Sequence, residues 1–189
     1  MRWDRVWYRV ATVLVALIIV GTIRSVIPEF LPHESPRSPG ANGVVTLDDM
    51  RVELVEAHLT RSVTDPLNEV RYDTSEVFVV VRVRVQPTAG RVNPSYRLER
   101  RDGTTFAHLE DGIAQHSFVA AVQPATIAHR TLIFELPESQ ASGLELVVHN
   151  PQLGRVVPML PVAVFSLDDP GAPSGNLVAT PDDEVLADG

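Results

Sequence analysis

The residues of this chain that could do chemistry are few, and the densest group lies between positions 108 and 117. His108, Glu110, Asp111 and His116 place two imidazoles and two carboxylates close together in sequence. Such a set can hold a divalent cation when the fold brings its members to one point. The spacing matches no established zinc pattern, so the simpler reading is polar residues on a loop and on strand ends. Ser117 follows His116, but neighbours on a strand face opposite ways and cannot form a nucleophile–base pair. There is no Gly-x-Ser-x-Gly elbow and no glycine-rich phosphate loop. Asp48-Asp49 and Asp168-Asp169 stand just outside the first and last predicted strands, where four carboxylates could meet around calcium. Their plainer role is to form turns and solvate them. His58 and His129 fall on strands as partly exposed side chains, and His149, before Asn150-Pro151, ends one. Cysteine is absent, which removes thiolate chemistry and disulfides. The expectation is no catalytic residue, no cofactor and no metal ligand, hence not an enzyme.

Arginine is the remaining candidate. Arg82 and Arg84 lie on one predicted strand, and Arg97, Arg100 and Arg101 on a nearby hairpin. Together they could form a basic face for an anionic partner, unless Glu53, Glu99 and Glu135 neutralise them across strands. All 16 basic residues are arginine, a codon bias of GC-rich, actinobacterial-type genomes. The net charge of −8 is uneven: Asp168, Asp169, Asp182, Asp183, Glu184 and Asp188 carry most of it, and residues 1–167 are nearly neutral. A nucleic-acid binder would show a basic patch instead, so nucleic acid is excluded as a partner.

The elements that must position these groups read as strands. Val77, Val79, Val81, Val83 and Val85 line one face of a long strand, with Arg82, Arg84 and Gln86 on the other. Met50, Val52 and Leu54 alternate with Arg51 and Glu53. Tyr96 and Leu98 lead into an Asp102-Gly103 turn, and Thr104–Leu109 returns. Ser117–Val122 is a short strand. Leu132, Phe134 and Leu136 share a face, as do Leu144, Leu146 and Val148, and Val162–Leu167 is the last strand. Glu138–Ser142 forms one turn of helix. Seven or eight short strands with turn signals between them predict an all-β fold, an antiparallel immunoglobulin-like β-sandwich.

One stretch has a different character. Val10–Ile23 carries no charge and is bounded by Arg9 and Arg24, and Val6–Ile27 extends it to 22 residues that include both arginines. That length crosses a hydrocarbon core of ~30 Å at ~1.5 Å per residue if both arginines snorkel. Trp3, Trp7 and Tyr8 sit where aromatic rings favour the interface, and Arg2, Arg5 and Arg9 keep the N-terminus cytoplasmic. A cleaved signal peptide competes, but no small-x-small site follows and Arg24 stands where one belongs. The expected organisation is therefore a cytoplasmic tail (1–5), a transmembrane signal anchor in the lipid bilayer (6–27), a Pro/Gly-rich linker (28–43), a sandwich (44–168) and an acidic disordered tail (169–189).

The order of elements resembles a family of extracytoplasmic bacterial domains filed as a domain of unknown function, similar to the mycobacterial immunoprotective extracellular protein. The resemblance rests on the Gly-led strand Gly43–Ala57, the valine-rich Glu76–Gln86, the Leu98-Glu99-Arg100-Arg101-Asp102-Gly103 hairpin and the Pro124–Pro137 segment ending Phe134-Glu135-Leu136-Pro137. Ala125 replaces the glycine usual after the proline, and Gln86-Pro87 stands where an asparagine usually ends the long strand. It implies an immunoglobulin-like sandwich with a surface binding or assembly role and carries over no catalytic residue. The functional expectation is a membrane-anchored, extracytoplasmic binding or assembly module, an accessory subunit of a membrane or cell-envelope complex with a protein partner there. The alternative is an extracytoplasmic small-ligand or metal-ion binding domain.

Overall fold

Alternation of apolar and polar residues along a strand buries every second side chain, and the valine run of residues 77–85 shows this most cleanly. In the computed structural model, which describes residues 33–40, 43–109, 121–152, 159–167 and 172–187, all five valines of that run are fully buried. All described residues belong to one compact unit, His33–Gly189. The expected tail and anchor, residues 1–27, lie outside the described residues. No helix among those described is long and apolar enough to cross a membrane.

Among the described residues eleven strands follow in order: β1 (His33–Arg37), β2 (Val44–Thr46), β3 (Met50–Asp65), β4 (Val70–Pro87), β5 (Ser95–Arg100), β6 (Thr105–Ala107), β7 (Thr126–Leu136), β8 (Leu144–His149), β9 (Met159–Leu167), β10 (Leu177–Val178) and β11 (Asp183–Leu186). They form two sheets. Sheet A runs β1-β9-β8-β5-β6, and sheet B runs β10-β3-β4-β7-β11 with β2 also on β3. The core lies between them: Val79, Val81 and Val83 of β4 and Leu132 and Phe134 of β7 share one apolar cluster with Leu98, Leu146 and Phe165 of sheet A. This is a β-sandwich, as the alternation predicts. The Leu98–Gly103 hairpin closes with Gly103 at φ +86°, a left-handed position that glycine adopts without cost. The helical turn appears as a single 3-10 turn, Glu138–Gln140. Of the predicted Ser117–Val122 strand only Ala121 and Val122 are described, and Val122 forms an isolated bridge to Val92; residues 117–120 lie outside the described residues.

Three expectations need correction. The strands exceed seven or eight because the linker and the tail both contribute. Residues 33–37, read as linker, pair with Met159–Ala163 as β1. They are drawn in because Glu34 meets Arg97 at 2.6 Å and Arg37 reaches Asp48 at 2.9 Å and the Thr46 carbonyl at 3.0 Å. Pro36 fits because an edge strand tolerates a missing N–H donor. The pairing is also not wholly antiparallel, since β1 runs parallel to β9 and β10 parallel to β3.

The third correction is the acidic tail. Phe78, Val80 and Ile133 are in the opposite phase to the core valines and so face outward from sheet B, yet they are buried. Residues 174–180 cover them, with Ala179 packed into the same cluster. This strap begins at a bulge in β3, where Thr60 donates to the Gly175 carbonyl and the Ser174 amide to the Leu59 carbonyl at 2.9 Å. It passes over to β7, where the Thr131 hydroxyl donates to the Thr180 carbonyl at 2.6 Å. There it meets Arg130, which sits in the inward phase between Ala128 and Leu132 and is only 4% exposed. A buried guanidinium needs anions, and the tail supplies them: Glu184 at 2.6 Å and Asp182 at 3.7 Å. Composition alone reads this segment as solvated because it cannot see Arg130. Neutralising both acids (Asp182→Asn with Glu184→Gln) leaves that charge uncompensated. It is expected to cost about 3–5 kcal/mol, read as a lowered urea midpoint.

Candidate functional site

The strap covers only the end of sheet B that is apolar outside, around Phe78, Val80 and Ile133. Beyond it the outward positions turn polar. Antiparallel register then lines up a row across five strands: Val44, Glu53, Arg84, His129 and Asp183 are successive cross-strand partners. A second row places Thr46 opposite Arg51 and Arg51 opposite Gln86. Side chains on one face of paired strands are close enough to interact, and Arg84 donates to Glu53 at 2.8 Å. Lower on the same face Arg82 stands 4.0 Å from Glu56, which also lies 3.2 Å from His58. These rows enclose a groove of about 450 Å³, bordered by Val44, Thr46, Arg51, Glu53, Arg84, Gln86 and Ile127. Arg51 is exposed and has no ion pair among the described residues. The groove thus offers one uncommitted guanidinium, an amide, a hydroxyl and two short apolar walls. That set can bind a polar chain carrying a carboxylate.

The expected basic face does not form as one surface. Arg82 and Arg84 belong to sheet B, whereas Arg97, Arg100 and Arg101 belong to the β5 hairpin of sheet A. Arg97 is bound by Glu34 and by Glu99 at 3.2 Å, and Arg100 pairs with Asp102 at 2.9 Å. Arg101, in the turn, has no ion pair among the described residues. Two of the anticipated neutralising pairs exist, Glu53 with Arg84 and Glu99 with Arg97. Glu135 instead accepts from the Thr74 hydroxyl. At Arg97 partial burial, the largest influence, pulls the pKa down, but Glu34 and Glu99 outweigh it and hold the group above its ordinary value.

The other candidates are dispersed. His108 packs edge-on between Tyr96 and Phe134, with centroids 6.4 and 6.3 Å away, so it is an aromatic spacer and not a loop residue in water. Glu110, Asp111, His116 and Ser117 lie outside the described residues, as do Asp168 and Asp169. Asp48 is engaged by Arg37, and Asp49 is buried and accepts from Asn150 at 2.6 Å. No group of three or more His, Asp or Glu among the described residues could hold a metal ion. His58 and His129 are on outward strand positions, and His149 ends β8, as expected. The cluster that sequence reasoning missed is Arg130 with Asp182 and Glu184, beside the buried Tyr96 hydroxyl. Burial raises that hydroxyl's pKa well above its usual range. The signal was present: in the series Ala128, Arg130, Leu132, Phe134, an arginine takes a core position and demands an acidic partner.

No family model matches the chain, and no curated protein matches it. Among solved structures it is similar to an uncharacterized β-sandwich protein from Clostridium difficile 630, at 11% identity, covering 72% of this chain and 97% of that one, with a TM-score of 0.45.

His149, at the end of β8 in sheet A, gives the fold a pH dependence of known sign. Partial burial, then the nearby Arg97, lower its pKa from the ordinary value. The unfolded chain therefore takes up a proton first as pH falls below ~6.5, and stability drops through that window. Above it the contribution is fully present. Thermal melts between pH 7.5 and 5 should show this loss, and His149→Asn should flatten it.

Proposed function

We propose that this chain is a non-enzymatic binding or assembly module, held in a cell membrane by residues 6–27 with the N-terminus cytoplasmic and the sandwich outside. In this reading it serves as an accessory subunit of a membrane or cell-envelope complex, and its partner is a protein of that compartment. The observation that carries the reading is the groove on sheet B with Arg51 at its border. Its Arg84–Glu53 pair is satisfied internally and a partner carboxylate can take Arg51, so it can bury against a polar partner without stranding a charge. Exposed ion pairs of this kind contribute only about 0–1 kcal/mol to folding, so stability does not account for their arrangement. We place the sandwich with the immunoglobulin-like extracytoplasmic domains. Support comes from the shared order of Gly-led strand, valine strand, Asp-Gly hairpin and Phe-x-x-Pro segment.

The groove's volume also supports a second reading, a small polar ligand, since ligand pockets run from roughly 300 Å³ upward. One experiment separates the two. A photo-crosslinking amino acid at Thr46 or Gln86, irradiated in native membranes, is expected to give a discrete higher-mass band that Arg51→Glu abolishes. A protein that stays monomeric from both positions rules out the protein partner. A thermal shift with envelope glycans or metal salts would then favour the small ligand.

A further inference from the structure

The outer edge of β7 is filled by the chain's own end. Four residues pair there, Asp183 with His129 through Leu186 with Thr126, and the Ala187 amide donates to the Ala125 carbonyl at 3.0 Å. All four residues of β11 are exposed. Beyond its backbone the strand is held by Glu184, 2.6 Å from Arg130, and by Asp182, whose Oδ1 accepts from the Thr131 amide at 2.7 Å. Only the reach of Asp182 to Arg130 is incomplete. The Asp182 carboxylate stops 3.7 Å from the Arg130 Nε, too far for a hydrogen bond. The Nε and the neighbouring Tyr96 hydroxyl are both buried without a hydrogen-bond partner among the described residues. A carboxylate one methylene longer at the position of Asp182 would extend toward both atoms.

We propose that the β7 edge is a docking site for an extended acidic strand of a partner polypeptide, held in reserve by residues 182–186. Partner and tail share one chemistry: a strand with carboxylates at alternate positions, aimed inward at Arg130. Charge complementarity selects that strand, because an apolar or basic one would bury Arg130 unpaired. The unmet groups make the chain's own strand a substandard occupant, which a glutamate-bearing partner displaces. The site adjoins the groove bordered by Arg51, since Ile127 borders that groove and pairs with Val185. The inference goes beyond the proposed function, and either can fail alone.

The test uses the full chain and a fluorescein-labelled peptide with the sequence of residues 181–187, followed by anisotropy. The phase set by Ala187 puts the Val185 amide in the ladder with Ile127, so Val185→Pro removes a donor and loosens β11. This variant is expected to bind the peptide, and the wild type roughly a hundredfold more weakly, the scale of an intramolecular competitor. The peptide with Asp182→Glu should bind more tightly. The peptide with Asp182→Asn and Glu184→Gln should bind about tenfold more weakly or not at all. Equal binding of charged and neutralised peptides overturns the proposal, as does failure of a Val185→Pro chain with wild-type circular dichroism to bind. Should that variant unfold, native-state hydrogen exchange on the wild type decides. Val185 and Ala187 amides are expected to open locally, long before those of Val79 and Val81. Exchange only through global unfolding would make β11 a permanent wall and sink the idea.

Discussion

An apolar sheet face cannot be left in water, and β4 is apolar on both faces over part of its length. From Val77 to Val81 every residue is buried, first inward and then outward in turn; from Arg82 the outward positions become Arg82, Arg84 and Gln86 while the inward ones remain valine. The rest of the molecule follows from that change along one strand. Where both faces are apolar, sheet A covers one and the strap covers the other. Where only one is apolar, the second face is left open and becomes the polar groove. The groove's position is thus set by where the strap stops being needed.

The two kinds of charge in this protein do different work. Arg82, Arg84, Arg97 and Arg100 sit at the surface, each with a carboxylate within 4.0 Å, in water that weakens every pair. They keep sheet faces soluble and neutral. Arg130 is buried, and its acids come from the far end of the chain. Burial removes the screening, so that pairing specifies geometry. A slip of one residue in β11 would turn Glu184 away from Arg130 and leave a buried charge alone. One inward arginine therefore chooses both the partner segment and its register.

Much of the fold was legible because strand periodicity is local. The inward series Val77–Val85, Leu132–Leu136 and Leu144–Val148 all point into the core, and the Asp102-Gly103 turn sits where a left-handed residue is required. The elements that were not legible are the ones with weak local signals. β1 contains one glutamate–arginine attachment, one arginine–aspartate attachment and a proline but no alternation. β10 and β11 are short and lie in an acidic, Pro- and Gly-rich stretch. The arginine candidates were placed on strands and a hairpin as expected, yet they separated, because a hairpin's sequence does not say which sheet it joins.

By itself the amino-acid sequence determined the all-β class, the inward face of each long strand and the absence of thiol chemistry, since these depend on residue type and a period of two. It also dictated that Arg130 occupies a core phase. Only the tertiary structure decided which strands became neighbours, that the two ends of the described unit complete the sheets, and that Asp182 and Glu184 neutralise Arg130. Those outcomes are contacts between residues dozens of positions apart. They are settled by which distant group can satisfy a buried charge or cover an apolar face.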